Sequence, residues 1–189
     1  MIAAMDPPGI TRHRRPFFAP LWLTMLAVVV IGGVAVTLYR NANTCVVLLT
    51  RPAEKEPGTI NDPPLSEEGD ERAQQLAHRL GDSSGGVMLD GIYVSDDRRA
   101  QQTAAPLAQR LNRAPVVFKA GDARATASRV LREHPGGTVL VIASGATLAE
   151  IIRELSGADV PPAPPGSADI LYVVSVPTFG RARLVRLRY

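Results

Sequence analysis

After residue 44 the chain alternates short apolar runs with longer stretches in which apolar residues recur every three or four positions. The runs predict buried strands at 45–49, 89–94, 115–118, 138–143, 170–176 and 183–189. The longer stretches predict helices, and the clearest of them has an apolar face made by Leu148, Ile151, Ile152 and Leu155. Strands that alternate with helices predict an α/β fold with a mostly parallel sheet, helices on both faces and a C-terminal antiparallel hairpin.

Capping residues predict where two of the helices begin. Ser66 stands before two glutamates and is predicted to cap the first helix of the α/β region. Ser95 or Asp96 is predicted to cap the second. The segment Val160–Gly166 contains four prolines, which predicts a loop or a lid.

The first forty residues differ, because the 24 residues of Pro16–Tyr39 carry no charge. As a helix this run is about 36 Å long, against roughly 30 Å of hydrocarbon in a bilayer. Trp22 and Tyr39 lie near its two ends, where amphipathic rings favour the membrane interface. The pattern predicts one transmembrane helix.

Arginines on either side of this run predict its orientation. Three arginines precede it and Arg40 follows it, so the positive-inside bias places the amino terminus in the cytoplasm. The predicted organisation is a cytoplasmic tail (1–15), a transmembrane helix (16–39), a linker (40–44) and a soluble domain (45–189). The soluble domain is expected on the periplasmic or extracytoplasmic side of the inner (cell) membrane.

Two other interpretations of the apolar run are weaker. A cleaved signal peptide has a shorter apolar region and a cleavage site of small residues, whereas Arg40–Asn43 makes a poor cleavage site. A buried core helix is disfavoured because the run is apolar on every face.

The sequence pI of about 9.4 suggests a nucleic-acid or membrane partner. Four of the 21 lysines and arginines lie in the first 40 residues, against one of the 18 acids, so residues 41–189 have no net charge. The basicity belongs to the amino-terminal segment, and a nucleic-acid partner is not predicted. Cys45 is the single cysteine, which excludes an internal disulfide and a thiolate metal site. We predict neither a metal nor a cofactor.

Polar residues follow three of the predicted strands, at Thr50-Arg51, Val94-Ser95 and Ala143-Ser144. In parallel sheets, ligands bind at the carboxyl ends of the strands. The three strand ends are therefore expected to meet at one edge and to form the functional site.

Several segments, in order, resemble the histidine phosphatase superfamily, also called phosphoglycerate mutase-like, and especially its small bacterial members. They are Arg51-Pro52-Ala53-Glu54, Asp62–Gly69, Tyr93–Ala104 and Val139–Leu148, and with the terminal hairpin they extend over most of residues 45–189. The resemblance implies two arginines that clamp a phosphoryl group, a histidine after the first arginine that attacks phosphorus, and a second histidine in the pocket.

Both arginines of the resemblance are present, as Arg51 and Arg99, but both histidines are absent. Pro52 stands at the position of the nucleophile and Ser144 at the position of the second histidine. The chain's own histidines fall elsewhere, and we interpret them as a flanking charge, a solvated helix face and a partner of a helix C-terminus, for His13, His78 and His134 respectively.

Two arginines at one strand edge suit a phosphate or another anion. Alternatively, Arg51 pairs with an internal acid such as Glu54 or Asp96 and binds no ligand. Glu54 and Lys55 are equally well read as solvated loop charges.

The sequence leaves enzymatic activity open and favours its absence. The first hypothesis is a membrane-anchored pseudoenzyme that serves as a binding module or accessory subunit of a membrane protein complex. The second is an active phosphomonoester or phosphohistidine phosphatase with a non-standard nucleophile, for which Ser144 is the candidate. The third is a purely structural subunit.

Overall fold

The computed structural model describes residues 21–42, 44–58, 61–81, 88–160 and 170–188. It contains two compact units, Met1–Thr37 and Leu38–Tyr189, which are considered separately below. The predicted tail 1–15 with His13, the start of the predicted transmembrane run and the prolines of 161–166 lie outside the described residues.

The helix α1 covers Leu21–Ala42 and thus includes most of the uncharged run. Its large apolar side chains are exposed to solvent, among them Trp22, Met25 and Val29. Thr37 donates a hydrogen bond from Oγ1 to the carbonyl of Gly33, one turn earlier, at 2.7 Å. Within the part of the chain that the structure describes, no helix has both the length and the apolarity needed to span a membrane.

The second unit is built on a six-stranded sheet with four further helices. The strands are β1 (Thr44–Thr50), β2 (Gly91–Ser95), β3 (Val116–Phe118), β4 (Thr138–Ile142), β5 (Ile170–Pro177) and β6 (Arg183–Arg188). The helices are α2 (Glu67–Gly81), α3 (Arg98–Arg110), α4 (Ala123–Glu133) and α5 (Gly145–Ser156).

The strand order is β3-β2-β4-β1-β5-β6. The pairs β3-β2, β2-β4 and β4-β1 are parallel, whereas β5 runs antiparallel to both β1 and β6. The predicted α/β class, the mainly parallel sheet and the terminal hairpin are therefore confirmed. The hairpin adds one internal strand, β5, and one edge strand, β6.

Alternate residues of the central strands face opposite sides of the sheet, and each side is covered by two helices. Val47 and Leu49 belong to the core that includes α4 and α5, while Leu48 between them belongs to the core that includes α2 and α3. All three side chains are at most 4% exposed. Burial on both faces explains why β1 is a continuous apolar run instead of an alternating one.

Of the two predicted caps, one is confirmed and one is wrong. Ser66 caps α2, because the backbone N–H of Gly69 donates to its Oγ at 3.1 Å. Helix α3 begins after Asp97, later than either predicted cap (Ser95 or Asp96), and Asp97 makes no side-chain capping bond. The carboxylate of Asp62 caps α3 instead, accepting the backbone N–H of Arg98 at 2.9 Å. Asp62 lies 36 residues earlier and has a φ of 63°, so local sequence could not indicate it.

A partly buried polar cluster joins β2 to the end of α4. The hydroxyl of Tyr93 donates to Glu133 at 2.8 Å and lies 3.2 Å from Nε2 of His134. Burial, followed by the hydrogen bond to Glu133, raises the pKa of Tyr93 to about 12. The hydrogen bonds from Tyr93 and Arg129 lower the pKa of Glu133. His134 thus ends α4, as predicted, and also packs edge-on against the Tyr93 ring.

Close packing of Gly69 against the loop after β1 generates a prediction about stability. A Cβ at Gly69 would clash with the backbone carbonyl oxygen of Glu54. We expect Gly69→Ala to lower the free energy of unfolding by about 1–3 kcal/mol, although alanine favours helices more than glycine does. The measurement is urea unfolding followed by far-ultraviolet circular dichroism.

Gly81→Ala is the matched control, since it lies in the same helix. A Cβ there meets the flexible side chain of Arg110, which can move aside. Equal unfolding midpoints for the two variants would contradict the close-packing account.

Candidate functional site

The carboxyl ends of β1, β4 and β2 lie side by side at one edge of the sheet. Thr50 of β1 pairs with Ile142 of β4, and Ile142 pairs on its other side with Val94 of β2. Arg51 directly after β1, Ser95 at the end of β2 and Ser144 two residues after β4 therefore lie at the same edge, here called the carboxyl edge. This arrangement confirms the predicted meeting of the three strand ends.

The loop after β1 is fixed by two helices. The backbone N–H of Ala53 donates to Oγ1 of Thr103 in α3 at 3.0 Å, and both residues are buried. The carbonyl of Glu54 accepts the backbone N–H of Ser66 at 3.0 Å. The carboxylate of Glu54 binds Arg72 of α2 at 2.8 Å, with both side chains mostly covered. The backbone at positions 51–54 is consequently held in one place.

The half-buried side chain of Arg51 extends toward the start of α5. A Cβ atom at Gly145, the first residue of α5, would lie 3.8 Å from Nε and 3.9 Å from Cζ of Arg51. The N-terminus of a helix carries partial positive charge, and its first N–H groups point outward. A guanidinium beside such a terminus forms a place that favours an anion.

Arg99 stands in the first turn of α3 and is also half-buried. Its Nη1 lies 3.5 Å from the carbonyl oxygen of Ala53, at the outer limit of a hydrogen bond. Its own carbonyl accepts the hydroxyl of Thr103 at 2.7 Å, the same hydroxyl that holds Ala53. Arg51 and Arg99 thus flank one loop. Their binding of an anion remains a prediction.

Pro52 is buried in this fixed loop. It lies between Arg51 and Ala53, the residue whose carbonyl oxygen Arg99 approaches. Its ring has no titratable or nucleophilic group, and its backbone nitrogen has no hydrogen to donate. The position that the resemblance assigns to the nucleophile therefore contributes neither a reacting atom nor a backbone donor.

Ser144 is the N-cap residue of α5 and is half-buried. Its Oγ lies 3.3 Å from Oγ1 of Thr147, which donates its own hydrogen to the carbonyl of Ala120 at 3.0 Å. Thr147 has one hydroxyl hydrogen, so in this pair Ser144 is the donor. The proton of Ser144 is directed at a hydroxyl, which is too weak a base to activate a nucleophile.

Four acidic side chains at the carboxyl edge stabilise the elements around the site. Glu54 pairs with Arg72, as described above, and Asp96 accepts the backbone N–H of Ala120 at 3.1 Å. Asp62 caps α3, and Asp97 accepts the hydroxyl of Ser95 at 2.9 Å. The expectation that Glu54 is a solvated loop charge is wrong, because its carboxylate is only 19% exposed and ion-paired.

The described histidines lie away from this site. His78 is exposed on α2 next to Arg110, as predicted for a solvated face, and His134 ends α4. Over the described ranges, no three His, Cys, Asp or Glu side chains group where a metal ion could bind. Cys45 is buried in β1, and burial together with Asp90 raises the pKa of its thiol to about 11.

An open cavity of about 220 Å³ lies beside α4 and α5. Its lining is mainly charged and includes Arg124 and Glu154, which form a largely exposed ion pair at 3.6 Å. Neither Arg51, Arg99 nor Ser144 lines it. We assign no chemistry to this cavity.

A family model supports the predicted resemblance. The model of the histidine phosphatase superfamily (branch 1) matches residues 47–121. That range extends from β1 through β3 and contains both Arg51 and Arg99. A sequence search of curated proteins found no match.

Solved structures of phosphatases share the fold at low sequence identity. The protein histidine phosphatase SixA complexed with tungstate has a TM-score of 0.60 at 19% identity, covering 76% of this chain and 96% of that one. A mycobacterial glucosyl-3-phosphoglycerate phosphatase has a TM-score of 0.59 at 18% identity, covering 75% of this chain and 97% of that one. A putative phosphohistidine phosphatase SixA from Nakamurella multipartitia has a TM-score of 0.55 at 19% identity, covering 78% of this chain and 97% of that one. The second unit therefore has the histidine phosphatase fold, and the family model supports that superfamily.

Proposed function

We propose that this chain is a membrane-anchored, catalytically inactive member of the histidine phosphatase superfamily. It acts as a binding module or accessory subunit of a membrane protein complex, and its carboxyl edge binds a phosphate or another anion without transforming it. The observation that carries the proposal is Pro52, which occupies the nucleophile's position in a loop that is otherwise firmly held.

Loss of a nucleophile is difficult to offset by the remaining groups. Removing the nucleophile of a well-studied hydrolase lowers its turnover by roughly 10⁶, and the residual rate comes from binding and electrostatics alone. Arg51 and Arg99 can bind a phosphoryl group, since guanidinium groups form bidentate hydrogen bonds with its oxygens. They cannot supply the attacking atom.

The alternative is an active phosphohydrolase in which Ser144 attacks phosphorus. The hydrogen bonding of Ser144 speaks against it, because its hydroxyl faces Thr147 instead of a general base. Activity that persists in the wild-type chain and disappears in Ser144→Ala would establish this alternative.

Anion binding is supported by the juxtaposition of Arg51 with the start of α5. Both carry positive charge, so together they favour an anion that contacts the guanidinium group and the first N–H groups of the helix. The SixA structure was determined with tungstate, an oxyanion similar in shape to phosphate, and the other proteins with a similar fold include a glucosyl-3-phosphoglycerate phosphatase. A phosphoryl group is therefore the class of ligand that we propose.

The proposed membrane anchor is the uncharged run Pro16–Tyr39, part of which precedes the described residues. Within it, α1 exposes valine, leucine, isoleucine and methionine side chains that water solvates poorly. Arginines on its amino-terminal side support a cytoplasmic amino terminus, with the α/β unit on the extracytoplasmic side of the cell membrane.

Introducing the two histidines tests whether Pro52 and Ser144 alone account for the proposed loss of catalytic activity. We expect Pro52→His with Ser144→His to hydrolyse p-nitrophenyl phosphate at least about 100-fold faster than the wild type, since a nucleophile returns between intact arginines. The measurement is the initial rate with the full chain in detergent.

The control for this restoration adds Arg51→Ala and Arg99→Ala to the double variant, which should remove the gain. A double variant that folds like the wild type but stays inactive would show that the rest of the pocket has also diverged.

Phosphate binding is predicted to stabilise the wild-type chain. At a phosphate concentration ten times the dissociation constant, the gain in unfolding free energy is about 1.4 kcal/mol. We expect this gain, measured as a rise in the melting temperature, to vanish in Arg51→Gln with Arg99→Gln.

Arg98→Gln is the matched control, because it removes the same charge from the neighbouring position of α3. Equal phosphate stabilisation in all three proteins would refute an anion site at Arg51 and Arg99.

The anchor is predicted to keep the full chain in membranes after washing with alkaline carbonate. We expect Val29→Arg with Val30→Arg to release it, because each arginine at a helix centre costs about 3 kcal/mol on insertion. Val29→Leu with Val30→Leu should stay bound. Release of the wild type by carbonate, or protection of the α/β unit from protease added outside spheroplasts, would contradict the proposed topology.

A further inference from the structure

The edge of the sheet opposite the candidate site also has a distinct composition. This amino edge, as we call it, consists of the starts of β1, β2 and β4, the last turns of α2 to α4, and the turn between β5 and β6. Helices α2, α3 and α4 each lead to the start of a parallel strand, so their C-termini lie at this edge.

Arginines are concentrated at the amino edge. The last turn of every helix from α2 to α4 carries one, namely Arg79, Arg110 and Arg132. The β5–β6 turn and the start of β6 add Arg181 and Arg183, which are both exposed. Helix dipoles explain the preference for cations at the C-termini. They do not explain the two arginines of the turn, which belong to no helix.

Acids near this edge offset only part of that charge. Glu133 is bound by Arg129 at 2.9 Å and by the hydroxyl of Tyr93, and the carboxylate of Asp90 accepts the backbone N–H of Thr138 at 2.8 Å. The whole α/β region has no net charge, so excess positive charge at the amino edge is balanced by acids elsewhere, several of which cap or hold elements at the carboxyl edge.

Phe179 lies at the tip of the β5–β6 turn with 60% of its surface exposed. The turn is next to the start of the domain, because Pro177 at the end of β5 pairs with Thr44 at the start of β1. An exposed aromatic ring flanked by arginines is a combination that favours the boundary between lipid and water.

Chain length keeps the amino edge near any membrane that holds the anchor. Four residues, 40–43, separate the proposed anchor from β1, so the end of the anchor and the start of β1 are at most about 18 Å apart. The headgroup layer itself extends several ångströms beyond the hydrocarbon. The β5–β6 turn is therefore within reach of that layer.

We propose that the amino edge docks on an anionic lipid surface, with Phe179 among the headgroups and Arg181 and Arg183 near lipid phosphates. This inference rests on the proposed membrane anchor and goes beyond it, since an anchor alone does not fix the orientation of the domain. Docking directs the carboxyl edge away from the bilayer, with Arg51 roughly 20 Å above the start of β1. The anion site then faces soluble ligands or partner proteins.

The test uses the full chain in vesicles of phosphatidylcholine with or without phosphatidylglycerol. Trp22 is the single tryptophan, so Trp22→Phe with Phe179→Trp provides one fluorescent reporter at the turn. We expect brominated lipid to quench this reporter strongly in the anionic vesicles, and less at high salt. Trp22→Phe with Lys119→Trp places the reporter after β3, at the carboxyl edge, and should be quenched little.

Charge variants of β6 provide a matched control. We expect Arg181→Gln with Arg183→Gln to weaken docking about fivefold per arginine removed, from the usual contribution of a basic residue at an anionic surface. Arg186→Gln with Arg188→Gln removes the same charge near the other end of β6, where Arg188 pairs with Ile170, and should change docking much less.

The results distinguish a failure of docking from a failure of the proposed membrane anchor. A chain that resists carbonate extraction but shows equal quenching of the two reporters, or quenching independent of phosphatidylglycerol, overturns docking and leaves the anchor intact. A chain that carbonate extracts from both kinds of vesicle overturns the anchor and docking together.

Discussion

The fixed loop after β1 is the constraint on which the rest of the site depends. Thr103 binds Ala53 from α3, Arg72 binds Glu54 from α2, and Gly69 lets α2 approach the backbone closely. These contacts hold Arg51 at the carboxyl edge whatever side chain follows it. A proline at position 52 is compatible with them, because the backbone N–H that Thr103 needs belongs to position 53. The scaffold can therefore lose its nucleophile without losing its shape.

The fold was largely predictable because its signals are local. Continuous apolar runs indicated strands buried on both faces, and Ser66 indicated the start of α2. Contacts between distant residues were not predictable, among them the capping of α3 by Asp62 and the pairing of Glu54 with Arg72. At the site, Arg51 and Arg99 were identified through the family resemblance. The position of Arg51 beside Gly145 and the hydrogen bonding of Ser144 depend on how β4 and α5 meet, which periodicity does not specify.

Charge is arranged along the direction of the parallel strands. Acids cap or hold elements at the carboxyl edge, whereas arginines predominate at the amino edge. Part of this separation of charge stabilises the helices themselves, because cations at helix C-termini interact favourably with the helix dipole. Our account assigns the remainder a role in orienting the domain on a membrane, so that one edge meets lipid and the other presents an anion site.

The central claim is that an intact phosphatase fold has lost its reaction. The most direct test compares initial rates of p-nitrophenyl phosphate hydrolysis by the purified wild-type chain and by Arg51→Ala with Arg99→Ala. The account predicts equal rates at the level of the buffer blank, because neither protein has a group that can attack phosphorus. A wild-type rate tenfold or more above that of the variant would contradict it.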